Sequence, residues 1–160
     1  MSDPVIAQFT AEFDRYHDLL LTQIDLCPSE EVWLSKTGVI PFWRHFMHAF
    51  GIVELYALPA GAPSRIPGYT FDEVRFKAEP QKAMTREEAK KLGAIMHTMA
   101  HEYMATQSTQ TLALKNEGMT KLMGQDSTNI RALIGLIRHY TYHIGCIDSI
   151  LRAHGIPGVL

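Results

Sequence analysis

Residues 127–157 read STNIRALIGLIRHYTYHIGCIDSILRAHGIP, and this stretch decides the fold. Ser127 is the residue type that starts helices, and Gly155 followed by Pro157 is the punctuation that ends them. Between them the spacing predicts a helix to about Ala153. Its inward row runs through Leu136, His139, His143, Ile147 and Ile150. Two imidazoles four residues apart on one face, inside an otherwise apolar row, need partners, because an unsatisfied buried polar group costs about 1–3 kcal/mol.

Working outward, three more helical patterns precede it. Pro4 to Leu26 places Ile6, Phe9, Phe13, Leu19, Leu20 and Ile24 on one face and stops at Pro28, with Ser29, Glu30 and Glu31 forming a short capped turn. A second helix starts near Pro41, carries PFWRHFMHAFGIVELYAL, and ends before Pro59. A third opens with a capping box, Thr85 and Glu88, and continues through LGAIMHTMAHEYMATQS. Residues 59–83 and the TQTLALKNEGMTKLMGQ stretch read as loops. No alternating strand pattern appears. The expected fold is all-α, a four-helix bundle forming one domain over residues 1–160.

Composition removes several classes of function. A net charge of −2 provides no basic field for a phosphate backbone, so no nucleic-acid partner is expected. The start MSDPVIAQFTAEFD does not read as a signal peptide, so none is expected, and no apolar run is long enough to span a membrane. Cys27 and Cys146 make neither a CxxC nor a disulfide framework, and a cytoplasmic location is the expectation.

The eight histidines point to metal chemistry. His139 and His143 lie close enough along one helix face to share an ion at about 2.1 Å from each. Cys146 cannot join them, since it stands about 10.5 Å from His139 along the axis. A third ligand must come from another helix, and His45 and His48, set among Phe42, Trp43, Phe46 and Phe50, are both candidates. His97 and His101 form a second HxxxH, read as a core or interface pair, with Met96, Met99 and Met104 beside it as packing. Other metal motifs fail. There is no Glu-x-x-His pair for a di-iron site, Asp14 and His17 being the nearest approach, and the HExxH begun by His101 and Glu102 ends on Ala105. No Gly-rich phosphate loop and no GxSxG elbow occur.

An HxxxH on the final helix, Gly145 two residues after the second histidine, and Leu151-Arg152-Ala153-His154-Gly155-Ile156-Pro157 resemble the DinB-like (YfiT-type) superfamily. The segment Trp43-Arg44-His45-Phe46-Met47-His48 is similar to that family's first ligand segment. The resemblance implies a four-helix bundle, often a homodimer, with one divalent metal held by three histidines. Carried over, the ligands would be His48, His139 and His143, with His45 as rival for the first position. The family's common HHRG-like string is absent: this chain has Tyr142-His143-Ile144-Gly145, which removes one donor and one charge beside the ion.

The implied activity is thiol transfer or hydrolysis on a small molecule, using zinc or nickel, with iron as a further option and a low-molecular-weight thiol as co-substrate. The alternative is a metal-binding dimeric scaffold without turnover; an enzyme should have its site open to a cavity, a scaffold should have it sealed. No catalytic acid or base is singled out among Tyr140, Tyr142, Glu54, His17 and Asp148. Arg65, Tyr69, Arg75 and Lys77 in the 59–83 loop read as a solvated scatter.

Overall fold

Asp3 begins the first helix. Its carboxylate accepts from the amides of Val5 at 2.9 Å and Ile6 at 3.4 Å, and Pro4 supplies a fixed φ in the first turn. The computed structural model describes residues 3–37 and 40–160, and they are overwhelmingly helical. The long helices are α1 (Pro4–Leu26), α6 (Arg86–Ala105) and α8 (Asn129–Ala153), with α3 (Phe42–Gly51) and α4 (Val53–Ala57) nearly continuous with each other. Short helices α2 (Glu30–Leu34), α5 (Phe71–Val74) and α7 (Glu117–Met123) lie in the connections. The described strands are a minimal antiparallel pair, β1 (Lys36–Thr37) with β2 (Ile40–Pro41). The chain is all-α.

Helix α8 is the centre of the packing. It lies against α1, α3 and α4, while α6 closes the other side against α1, α3 and α4. Gly135 makes the α4–α8 approach possible, since a Cβ there would sit 2.4 Å from the Tyr56 ring. The core is rich in rings: Trp33 stacks on Phe46 at 5.3 Å and Phe13 on Tyr140 at 5.0 Å, with these side chains fully buried. Met96, Met99 and Met104 are buried as packing residues. No helix among the described residues is long and apolar enough to cross a membrane.

Several boundaries differ from the sequence reading. The expected second helix breaks at Ile52, after Gly51 and before Val53, a glycine and β-branched run with weak helix propensity. Residues 59–83 contain α5, begun by a full capping box between Thr70 and Glu73. The stretch after α6 contains α7, with Asn116 capping the Met119 amide at 2.8 Å and Gly124 in the left-handed region at its end. Ser127 is not the cap of α8. Its carbonyl accepts from the Asn116 amide at 2.7 Å, and Thr128 takes the N-cap position.

The end of α8 forms a Schellman motif. Gly155, at φ 76°, donates to the Arg152 carbonyl and Ile156 to that of Leu151, each at 3.0 Å. The chain then returns along the helix to Asp148. This buried carboxylate accepts from Val159 and Leu160 amides at 3.0 and 3.1 Å and from Gln23 of α1 at 2.6 Å. Asp148 is thus a clasp joining α1, α8 and residues 158–160. Asp148→Ala is expected to cost about 2–3 kcal/mol, because it strands a buried amide and removes charge-assisted hydrogen bonds. Urea unfolding of the metal-free protein measures it, and a change below about 0.5 kcal/mol, the range of ordinary surface substitutions, would contradict the assignment.

Candidate metal centre

His139 and His143 project from one face of α8, as their four-residue spacing dictates. His48 reaches them from α3. The three ring centroids form a nearly equilateral triangle: 4.8 Å from His48 to His139, 4.9 Å from His48 to His143 and 4.7 Å from His139 to His143. One nitrogen from each ring lies within 4.8 Å of the others. Tetrahedral sharing of one ion at about 2.1 Å asks for nitrogens about 3.4 Å apart, a distance small ring rotations supply.

The rings are held in orientation from behind. His48 Nδ1 lies 2.7 Å from the Val74 carbonyl, so Nδ1 carries the proton and donates, leaving Nε2 toward the other two histidines. Val74 can stand there because Gly51 has no side chain; a Cβ at that position would come within 2.8 Å of both Val74 methyls. His45 lies 3.4 Å from His143, Nδ1 to Nδ1, and so is a neighbour of one ligand candidate rather than a member of the converging trio. His139 Nε2 is buried with no hydrogen-bond partner. A shared cation would satisfy it, so this group of residues fits a metal ion.

Burial also prepares the charge state. It pushes His139 down to about 3, with nearby His48 and Arg138 adding to the fall against a hydrogen bond that the His48 carbonyl accepts from the ring. It pushes His143 down to about 2, reinforced by His139, His48 and His45. His45 falls to about 4 through burial and then His48, and His48 is lowered mainly by burial against the opposing pull of the Val74 carbonyl. All four imidazoles are therefore neutral near pH 7, the form that ligates.

The trio lies in the wall of a cavity of about 670 Å³. Ile40 and Phe76 supply apolar lining, and Arg138 and Tyr142 supply polar groups. Phe76 stacks on His48 at 4.4 Å while the Arg44 guanidinium sits 5.0 Å from the same ring. Arg44 is itself anchored to Glu79 at 2.6 Å and to the Ala78 carbonyl at 2.8 Å. The backbone at Phe76 is unusual. Phe76 and Lys77 close α5 as a Schellman motif, donating to Glu73 and Asp72, so Phe76 at φ 59° occupies the position where glycine normally stands. That left-handed conformation costs roughly 1–2 kcal/mol for a residue with a side chain.

Of the acid–base candidates, only Tyr142 lines this cavity. Glu54 is buried and holds the Ser64 hydroxyl at 3.1 Å and the Arg65 amide at 2.5 Å, so it fixes the start of the following loop. Tyr140 is fully buried beside Phe13, His17 packs against His97, and Asp148 is the clasp described above. Arg65 pairs with Glu102 at 2.6 Å, Arg75 lies over Phe71, and neither they nor Tyr69 and Lys77 line the cavity. Arg138 does, and sequence reasoning missed it. Its only signal was its place one residue before His139.

His97 and His101, expected as a core or interface pair, lie at the α1–α6 interface rather than in the core. They are half-buried and share Asp14 of α1.

No model of a known family matches the chain, and no curated protein matches it.

The depressed imidazoles make stability depend on pH. Below about 6.5 the unfolded chain takes up protons at His139 and His143 that the folded chain refuses until about 3 and about 2, so stability falls as pH falls through that window. Each group contributes at most about 1.4 kcal/mol per pH unit. Urea unfolding of chelator-treated protein between about pH 6.5 and pH 4.5 should show this decline, and His143→Ala should make it shallower by up to one proton. An unchanged slope would contradict the neutral buried state.

Proposed function

We propose that this chain is a divalent-metal-dependent enzyme of the DinB-like kind, with His48, His139 and His143 as ligands, acting on a small molecule by thiol transfer or hydrolysis. One observation carries the reading: three neutral imidazoles from helices far apart in sequence converge in the wall of a cavity large enough for a small substrate. A zinc- or nickel-class ion, when bound, supplies Lewis acidity that brings a water to a pKa near about 7 or holds a thiol as thiolate. Imidazole donors suit such ions better than magnesium or calcium.

The chain's own residues do the rest. The Val74 carbonyl orients His48, and burial keeps the three rings deprotonated at the nitrogens they offer. Arg138 presents a planar cationic fork for a carboxylate on a thiol or its acceptor. Tyr142 places a phenol in the same cavity, within reach of a bound polar group. Ile40 and Phe76 give an apolar wall that limits water. A non-catalytic scaffold would have its ligands sealed, and the cavity at this trio favours turnover.

The same reading treats α1, α3–α4, α6 and α8 as the members of a four-helix bundle, and the chain as a homodimer. A monomer mass by light scattering at micromolar concentration would sink the dimer.

The central experiment replaces His143 with Ala. One equivalent of metal should be lost, along with any activity measured with a nitroaryl halide and cysteine or glutathione, or with a p-nitrophenyl ester. The metal-loaded form should also lose stability, about 2.7 kcal/mol at a hundredfold excess of metal over Kd, while the metal-free form changes much less. Retention of that equivalent in both His143→Ala and His48→Ala would overturn the reading.

A further inference from the structure

The pair on α6 that resembles ordinary packing in the sequence supplies two of the three members of a second donor set. His97 and His101 stand four residues apart on one face of α6, and across from them Asp14 of α1 aims one oxygen between the two rings. Asp14 Oδ1 lies 2.8 Å from His97 Nε2 and 2.6 Å from His101 Nε2. The three donor atoms lie within 4.8 Å of one another.

We propose that Asp14, His97 and His101 form a second metal site, separate from the trio on α3 and α8, that takes a first-row transition-metal dication of the zinc, iron or cobalt class. The donor chemistry selects that class. Two imidazoles and one carboxylate are the open three-ligand set of catalytic zinc and of non-haem iron, whereas magnesium and calcium prefer oxygen alone.

Two further observations favour an ion over a simple hydrogen-bonded cluster. The first is His17, one helical turn after Asp14 on α1. Its ring centroid is 4.6 Å from that of His97, it is only 3% exposed, and its Nδ1 has no hydrogen-bond partner. A buried imidazole with an unsatisfied nitrogen thus packs directly against one of the two histidines of the set. The second is access. Asp14 and His101 line a cavity of about 430 Å³ that also includes Thr10 and Gln107. The side chains of Asp14, His97 and His101 are 39%, 34% and 37% exposed, so an ion there has open positions facing solvent and can exchange. The site draws its ligands from α1 and α6, so its occupation would cross-link those two helices.

The test is a titration of the full chain, stripped with chelator, using zinc followed by cobalt(II) with visible absorption as the readout of imidazole and carboxylate ligation. Wild type should bind two equivalents. Asp14→Ala and His101→Gln should each bind one and keep the cobalt spectrum of the α3–α8 trio; His143→Ala should bind one and keep the other spectrum. The double variant His101→Gln/His143→Ala should bind none. Circular dichroism of each metal-free variant checks that it is folded, and the half-exposed positions make that the expected result. If Asp14→Ala and His101→Gln both bind as wild type does, or if wild type binds a single equivalent that His143→Ala abolishes, the second site does not exist. A single equivalent abolished by His101→Gln and kept by His143→Ala would leave this site standing and overturn the assignment of the trio.

Discussion

The hydrogen bond between His48 Nδ1 and the Val74 carbonyl links parts of the molecule that otherwise have little to do with one another. It decides which nitrogen of His48 faces α8, and it requires the carbonyl at the end of α5 to reach the back of α3. That approach in turn requires Gly51 to have no side chain, and it requires α5 to exist, which rests on the Thr70–Glu73 capping box. A short helix inside a connection rich in glycine and proline thus serves a definite purpose. It delivers one acceptor to one imidazole, and the geometry of the three-histidine group follows from that delivery.

Helix α8 was the most legible element in the sequence because its signals are local. The i, i+4 histidines and the Gly155 stop depend on residues within a few turns, and α1 and α6 announce themselves through Pro4 and the Thr85–Glu88 box in the same way. What could not be read depends on contacts distant in the chain. His45 and His48 are three residues apart in the same aromatic setting, and the residue that separates their roles is Val74, which has no pattern of its own. Asp14 looks like a surface acid on α1, and its meaning appears only when α6 packs beside it. The two short helices α5 and α7 were legible in principle, from Thr70-x-x-Glu73 and from Asn116 with Gly124, but the Gly and Pro around α5 outweighed its cap and α7 is only two turns long.

Seven of the eight histidines divide between two regions of the helical packing, and His154 stands exposed at the end of α8. His45, His48, His139 and His143 gather where α3 meets α8, and His17, His97 and His101 gather where α1 meets α6. Between the two groups stand fully buried rings. Tyr140, next in sequence to His139, packs 5.0 Å from Phe13 and 6.0 Å from Phe50, and both of those rings also touch His17.

Phe76 sets stability against coverage of the site at a single position. Its left-handed backbone would relax if glycine or asparagine stood there, and a search for heat-resistant variants would favour such a replacement. The same replacement would take away the ring that lies on His48 and carries the Arg44 guanidinium on its edge of the cavity. Selection acting only on folding would drift toward glycine at that residue, whereas selection acting on what enters the cavity would hold the aromatic in place. The residue found at this one turn in variants of the chain is therefore a record of which pressure has dominated.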